Sequence, residues 1–207
     1  MICTSIQHKD LQEILDLLEG VEMAEIRLDR CPLDEADIDT LFSGSDVPLI
    51  ATCRLAEESQ APELLERAVI AGAKYVDLEM EAPAAVGRRL REACREYGSV
   101  LLRSYHNFEG TPPLDVLQAL LERARSYGGE VVKIVTTATS KADNDTIAAL
   151  YASAAPGSLV AFCMGEDGRP SRLEALRLGA PFTYACPEAD EATAPGQWCL
   201  SSRTNPS

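Results

Sequence analysis

The sequence predicts an α/β fold, most simply a single (β/α)8 barrel over residues 1–207, with a doubly wound parallel sheet as the alternative. Short apolar or β-branched runs recur eight times along the chain, and amphipathic stretches separate them. Strands that alternate with helices pair in parallel, and eight such units favour a barrel. No glycine-rich phosphate loop follows the first run, and this weakens the doubly wound alternative.

The eight runs are rich in the apolar and β-branched residues that favour strands. They are Ile2–Ile6, Met23–Asp29, Pro48–Arg54, Tyr75–Glu79, Ser99–His106, Val131–Thr137, Leu159–Met164 and Phe182–Cys186. The stretches between them show the spacing of amphipathic helices, and glycines such as Gly72 and Gly98 stop them. These helices are predicted at Asp10–Leu18, Ala61–Ala71, Ala84–Tyr97, Leu114–Tyr127, Asp143–Ala152 and Ser171–Leu178.

Composition excludes several classes of protein. Hydrophobic residues make up 46% of the chain, which excludes a disordered protein, and no apolar stretch approaches the roughly 18 residues of a membrane span. The net charge of −14, with no basic cluster to offset it, argues against a nucleic-acid partner. The first residues predict a strand and not a signal peptide, and the seven scattered cysteines lack metal-ligand spacing. We therefore expect a cytoplasmic protein with reduced thiols, no metal site and no membrane partner.

Polar side chains share one face of several predicted strands, because alternate residues of a strand point the same way. The polar faces carry Glu25, Arg27 and Asp29, then Thr52 and Arg54, then Asp77 and Glu79, then Ser104 and His106. The opposite faces carry Ala51, Cys53, Val76, Leu78, Val132 and Ile134, which suit packing under helices. A solvated sheet would show the same alternation, but parallel sheets are covered on both sides. Only Arg103, on an outward face, does not fit this pattern.

Lys133 is the most informative residue, because it lies at the centre of the largely apolar run Glu130–Thr136, within the predicted strand Val131–Thr137. Burial disfavours the charged ammonium form of a lysine and so favours the neutral amine, which is a nucleophile. The alternative is a side chain that reaches solvent from a strand end. His106, one of only two histidines, closes another strand. A lysine that forms a Schiff base and a histidine that transfers protons make a complete catalytic hypothesis.

An anion site is predicted where the seventh strand leads into the next helix. Ser171 and Glu174 have capping-box spacing, which places Arg172 at the first helical position beside free backbone amides. Loops after the seventh and eighth strands of barrels often bind anionic groups. The alternative is an ordinary surface arginine. The last loop, residues 191–197, is either a lid that carries Thr193 and Gln197 or a linker.

These residues, taken in order, resemble the type I 3-dehydroquinate dehydratase family over nearly the whole chain. The matching motifs are Glu25-x-Arg27-x-Asp29, Thr52-x-Arg54-x-x-x-Glu58, Asp77-Leu78-Glu79, Ser104-x-His106-x-Phe108, Val132-Lys133-Ile134, Met164-Gly165 with Gly168 and Ser171-Arg172, and Ala194-Pro195-Gly196-Gln197. The resemblance implies a (β/α)8 barrel that dehydrates the small molecule 3-dehydroquinate to 3-dehydroshikimate in the shikimate pathway of aromatic amino acid biosynthesis. It implies a hydro-lyase with a lysine Schiff base, without a metal or external cofactor.

The resemblance also implies roles for individual residues. Lys133 resembles the imine-forming lysine, His106 the general acid/base, and Glu58 the carboxylate that orients His106. Arg172 is expected to bind the substrate carboxylate. The positions that match those holding the substrate's hydroxyls and carboxylate are Ser5, Glu25, Arg27, Arg54, Thr193 and Gln197.

The chain departs from the family pattern at several places. Phe162-Cys163-Met164 stands where the family has Met-x-Met, and Thr193 stands for the usual serine of the lid. The family has a helix after Pro-Gly-Gln, whereas few and mostly polar residues follow Gln197 here. We therefore expect a barrel without a full closing C-terminal helix, whose uncovered seam favours a homodimer.

Two other functions compete with this hypothesis. A class I aldolase would explain Lys133 and the fold, but not Arg172 or the Pro-Gly-Gln loop. A catalytically idle barrel kept as an interaction module would not require Lys133 or His106, and both are present.

Overall fold

The computed structural model describes residues 1–187 and the backbone of residues 198–199, and there eight strands alternate with seven α-helices before a short ninth strand. The strands are β1 Ile2–Ile6, β2 Met23–Arg27, β3 Leu49–Thr52, β4 Tyr75–Glu79, β5 Val100–His106, β6 Val131–Thr137, β7 Leu159–Met164, β8 Thr183–Cys186 and β9 Trp198–Cys199. The helices are α1 Leu11–Leu18, α2 Glu35–Gly44, α3 Ala61–Ala71, α4 Ala84–Tyr97, α5 Leu114–Ser126, α6 Asp143–Leu150 and α7 Arg169–Arg177. The eight predicted strands are confirmed, and some of them are one to three residues shorter than predicted. The prediction that the barrel lacks a full closing C-terminal helix applies to residues outside those that the structure describes.

The chain divides into two compact units. The first is Cys3–Leu102, and the second is Met1–Ile2 together with Arg103–Ser207, so the boundary falls within β5. Each unit holds parallel strands and the helices that follow them. The single domain over residues 1–207 stays a prediction.

In the first unit, four strands lie in the order β4-β3-β2-β1, and every neighbouring pair is parallel. Their register places polar residues side by side: Ser5 lies beside Glu25, and Arg27, Thr52 and Asp77 form a row. The alternation seen in the sequence therefore becomes a polar face that crosses the strands.

The opposite faces of these strands form the core of the first unit. The outward residues predicted to pack under helices are all buried, namely Ala51, Cys53, Val76 and Leu78. Each fully buried side chain of leucine size contributes about 2 kcal/mol. Helix α2 also packs here through Ile38, Leu41 and Phe42, although the sequence analysis did not predict it. The signal was present, because Asp34 caps the helix and forms a capping box with Asp37.

In the second unit, β5, β6 and β7 are neighbours, and β6 and β7 pair in parallel with Lys133 beside Val160. The backbone N–H of Asn107, just after β5, donates to the Val135 carbonyl of β6 at 2.8 Å. β8 begins beside the amino terminus, since the Thr183 N–H donates to the Met1 carbonyl. These contacts bring the carboxyl ends of β5 and β6 together.

Arg103, the exception in the sequence pattern, is 2% exposed. Its stem fills the space that a side chain at position 129 would need, because a Cβ on Gly129 would lie 2.9 Å from the Arg103 Cγ. Its guanidinium lies 5.7 Å from the centroid of the Tyr127 ring. A glycine and an aromatic ring therefore accommodate this outward arginine.

The six cysteines of residues 1–187 are free and buried, in agreement with the predicted reduced thiols. Within the same described part of the chain, none of the helices has the length and apolar character that crossing a membrane requires.

Candidate active site

Lys133 is buried at the centre of β6, with 4% of its surface exposed. The alternative of a side chain that reaches solvent from a strand end is therefore wrong. The Lys133 Nζ lies 4.3 Å from the centroid of the Tyr184 ring on β8. The amine is thus held at a fixed place, against a ring and away from bulk water.

Arg172 is buried more completely than Lys133, at 1% exposure. Its guanidinium carbon lies 4.3 Å from the centroid of the Phe162 ring on β7. Among the described residues, neither its Nε nor its Nη2 has a hydrogen-bond partner. Burial lowers the pKa of Arg172 from its ordinary value to about 10. A buried cation with unused donors suits an anionic ligand, and the alternative of a surface arginine is wrong.

An aromatic pair connects the side chains of Lys133 and Arg172. The rings of Phe162 and Tyr184 lie 6.1 Å apart between centroids, in a tilted arrangement. Because Tyr184 contacts Lys133 and Phe162 contacts Arg172, the structure brings the predicted nucleophile and the predicted anion-binding residue to one region of the second unit.

His106 is the last residue of β5, beside the strand that carries Lys133. Its ring stacks on Phe108 with centroids 6.2 Å apart and an interplanar angle of 14°. Ser104, on the same face of β5, is fully buried, and among the described residues its hydroxyl has no hydrogen-bond partner. Neighbouring strands lie about 4.8 Å apart, so this face of β5 borders that of β6.

The predicted capping box before Arg172 is wrong. Helix α7 begins at Arg169, since Pro170 suits the first turn of a helix, and Ser171 therefore lies inside the helix. The Ser171 hydroxyl accepts a hydrogen bond from the Cys163 N–H at 2.8 Å and donates one to the Gly168 carbonyl at 2.6 Å. Arg172 is consequently at the fourth helical position instead of the first.

In the first unit, Glu25 is a buried carboxylate held by two hydroxyls. Its Oε1 accepts a hydrogen bond from the Ser5 hydroxyl at 2.7 Å, and its Oε2 accepts one from the Thr52 hydroxyl at 3.1 Å. Ser5, predicted to bind substrate, thus also fixes the position of Glu25. Thr52 joins the same cluster although no role was predicted for it.

The two predicted arginines of the first unit have acidic partners. Arg27 donates to both oxygens of Asp29, and Arg54 lies 3.0 Å from the Glu79 carboxylate. Burial opposes ionisation of Asp29, but the hydrogen bond and charge of Arg27 outweigh it and lower the pKa of Asp29. Both arginines are therefore fixed by charge pairing.

The Glu58 carboxylate bonds to the backbone of its own loop, because its Oε1 accepts a hydrogen bond from the Gln60 N–H at 2.9 Å. Thr193 and Gln197, the two predicted residues of the last loop, lie outside the residues that the structure describes.

Comparison with known proteins identifies the family. The model of the type I 3-dehydroquinase family matches residues 2–202. The 3-dehydroquinate dehydratase of Thermococcus gammatolerans is 41% identical over 195 residues, which cover 90% of this chain and 87% of the relative. That of Desulfotalea psychrophila is 33% identical over 213 residues, covering 97% and 93%. The chain belongs to the type I 3-dehydroquinase family.

Solved structures of dehydratases confirm the fold class as a (β/α)8 barrel. The crystal structure of 3-dehydroquinate dehydratase from Geobacillus kaustophilus is similar with a TM-score of 0.84 at 23% identity, covering 98% of this chain and 88% of that one. The enzyme from Aquifex aeolicus gives a TM-score of 0.83 at 25% identity, covering 99% and 95%. The parallel α/β pattern predicted from the sequence is the fold of this family.

Within this type I 3-dehydroquinase, the sequence analysis missed the aromatic pair. Aromatic residues are 5% of the chain, and Phe162 was noted only as a departure from the family pattern. The available signal was weak: Phe162 and Tyr184 are each the only aromatic residue of a short, fully buried strand. The contact of Tyr184 with Lys133 joins β8 to β6, which are far apart in sequence, so local pattern could not pair these residues.

Proposed function

We propose that Lys133, His106 and Arg172 carry out the dehydration of 3-dehydroquinate to 3-dehydroshikimate, the hydro-lyase reaction of the shikimate pathway. The observation that supports this most directly is that the buried amine of Lys133 and the buried guanidinium of Arg172 each contact one ring of the Phe162–Tyr184 pair. A nucleophilic amine and an anion-binding guanidinium in one region match a substrate that has both a ketone and a carboxylate.

The amine of Lys133 is proposed to add to the C3 carbonyl of the substrate and, with loss of one water, to form an iminium ion. The positive nitrogen withdraws electrons and acidifies the proton on C2. His106, at the end of the neighbouring strand, removes that proton as a general base. The same proton then leaves with the C1 hydroxyl as water, which restores neutral His106. Water finally hydrolyses the imine, which releases the product and regenerates the lysine.

Arg172 is proposed to bind the C1 carboxylate of the substrate. Its unused donors and the burial of its charge make an arriving carboxylate more favourable than it would be at an exposed arginine. A guanidinium can present two parallel N–H groups to a carboxylate, so this contact fixes orientation as well as charge.

The predicted substrate-binding roles of Ser5, Glu25, Arg27 and Arg54 are supported by their fixed positions in the first unit. Glu25 is a carboxylate already oriented by two hydroxyls, which suits it to accept hydrogen bonds from substrate hydroxyls. The roles predicted for Glu58, Thr193 and Gln197 stay predictions.

The test is an ultraviolet assay for the conjugated enone formed from 3-dehydroquinate, with matched variants. Lys133→Ala is expected to abolish turnover, whereas Lys141→Ala, at an exposed residue, is expected to keep it. His106→Ala is expected to slow proton transfer by about 10²–10⁴-fold and to accumulate a covalent adduct visible by intact mass. The control is His8→Asn, since asparagine tolerates the positive φ of His8. Turnover that survives in Lys133→Ala would refute the proposal.

The cytoplasmic location and the homodimer predicted from the sequence also stay predictions. Sedimentation velocity at micromolar concentration tests the second: a species of twice the chain mass of 22.4 kDa is expected, and a strictly monomeric species would contradict it.

A further inference from the structure

Two side-chain hydroxyls, those of Tyr151 and Ser171, form hydrogen bonds with backbone groups of β7. The Tyr151 hydroxyl accepts a hydrogen bond from the Ala161 N–H at 2.8 Å and donates one to the Ala161 carbonyl at 2.9 Å. The Ser171 hydroxyl accepts from the Cys163 N–H. The Val132 N–H of β6 donates to the carbonyl of Ser158, just before β7, and the Ala138 N–H donates to the Met164 carbonyl. Ala161 and Cys163 have the opposite parity, so the two hydroxyls bond to backbone groups on the other edge of the strand.

The second bond of Ser171 makes its hydroxyl a bridge. It donates to the Gly168 carbonyl, so one buried oxygen connects β7 to the turn that opens α7. That turn passes very close to the strand, because a Cβ on Gly168 would lie 2.5 Å from the Met164 carbonyl oxygen and 2.6 Å from the Cys163 Cβ. The first turn of α7 is therefore held against β7 by a close backbone approach and by the Ser171 bridge.

The bridge lies between the two partners of the anion site. Phe162 precedes Cys163 in the strand, and Arg172 follows Ser171 in the helix, and these two flanking side chains are the ones that stack. Among the described residues, Arg172 has no hydrogen bond from its Nε or Nη2 that would orient it. Its direction consequently depends on where the backbone of α7 stands relative to β7.

We propose that Ser171 is a positioning residue for the anion site: its bridge between the Cys163 N–H and the Gly168 carbonyl fixes the place from which Arg172 meets the substrate carboxylate. This inference rests on the proposed role of Arg172. Ser171 touches no substrate in this scheme and acts through Arg172.

The proposal predicts a specific kinetic change in Ser171→Ala. A displacement near 1 Å at a binding group can weaken a reaction by about 100-fold, and a partial displacement of Arg172 is expected to raise KM about 10-fold. Because the carboxylate contact is made in both the ground state and the transition state, kcat is expected to stay within about 2-fold. Alanine favours helix more than serine does, so a change in helix propensity cannot cause the loss.

Tyr151→Phe is the matched control. It also removes a buried hydroxyl that bridges backbone groups of β7, two residues away, but Tyr151 is not adjacent to Arg172. Both variants are expected to lower the melting temperature, and only Ser171→Ala is expected to raise KM. In an Arg172→Ala background, Ser171→Ala is expected to leave KM unchanged, because there is no guanidinium left to position.

The outcomes separate this inference from the proposed function. If Arg172→Ala leaves KM unchanged, the proposed role of Arg172 fails, and this inference fails with it. If Arg172→Ala raises KM while Ser171→Ala changes it no more than Tyr151→Phe does, only the positioning role is refuted. If Ser171→Ala does not fold, Ser171→Cys replaces it in the same test, because a thiol is similar in size to the hydroxyl but forms only weak hydrogen bonds. An intermediate rise in KM supports the proposal, and a KM equal to that of the wild type refutes it.

Discussion

The buried charge of Arg172 is predicted to lower the stability of the folded protein, so that Arg172→Met should stabilise it. Burial lowers the pKa of Arg172 to about 10. At roughly 1.4 kcal/mol per pH unit, a lowering of this size corresponds to a penalty of about 3 kcal/mol on the charged form in the folded state. Below pH 10 the guanidinium is charged in both the folded and the unfolded state, so the folded state has the whole penalty at neutral pH. As the pH rises above 10, the guanidinium loses its proton first in the folded state, and the penalty decreases.

Part of this penalty is already offset in the wild type. The stacking on Phe162 contributes about 1–2 kcal/mol, and methionine would lose it while still filling most of the space. The net gain expected for Arg172→Met is therefore about 1–2 kcal/mol in the free energy of unfolding. The same variant should lose most of its affinity for substrate, because the carboxylate loses its partner.

Urea unfolding at pH 7.5 measures this gain, and Arg177→Met is the control. Arg177 lies on the same helix but its side chain is 81% exposed, so its replacement should change stability little. Added 3-dehydroshikimate should stabilise the wild type and have little effect on Arg172→Met. A variant at position 172 that is less stable than the wild type by more than about 1 kcal/mol would show that the charge is compensated in the folded protein, and would refute the argument.

Two further predictions concern residues that hold the site in place. Asp29→Asn should lower the free energy of unfolding at pH 7, because it removes the charge of the closest acidic partner of Arg27. The pKa of Asp29 is lowered in the folded protein, so the stability advantage of the wild type is present above the ordinary pKa of 3.8 and should shrink as the pH falls further. Urea unfolding at several pH values measures this change. An advantage that does not change with pH would contradict this. Gly168→Ala should lower the free energy of unfolding by about 1–3 kcal/mol, because the added Cβ would overlap the Met164 carbonyl. Gly44→Ala is the control, since a Cβ there would meet nothing within 4 Å, and it should not lower the stability in this way. Equal melting temperatures for the two variants would count against the close approach at Gly168.

Much of the fold was predictable because the strands and helices have strong local periodicity. Lys133 stood out for the same reason, since a lysine in the middle of an apolar strand conflicts with its surroundings unless it has a function. His106 and Arg172 were also singled out from the sequence, one as a rare histidine at the end of a strand and the other by the helix predicted after the seventh strand. Family resemblance then added Glu58 and the substrate-binding positions.

The parts that could not be predicted depend on contacts between distant segments. The spacing of Ser171 and Glu174 satisfies a capping box, yet the hydroxyl bonds instead to β7, because Pro170 starts the helix earlier. The Phe162–Tyr184 pair joins two strands whose contact no local pattern encodes. Helix α2 is different, because the spacing of its capping residues Asp34 and Asp37 is local and is visible in the sequence.

The central claim is that the amine of Lys133 bonds covalently to the substrate, and borohydride trapping tests it most directly. Hydride adds to the carbon of the iminium ion and leaves a stable secondary amine, so one ligand per chain should remain attached after denaturation. Peptide mapping should locate that mass on the peptide that contains Lys133, and Lys133→Ala should trap nothing. Attachment at Lys141, or undiminished trapping in Lys133→Ala, would contradict the account.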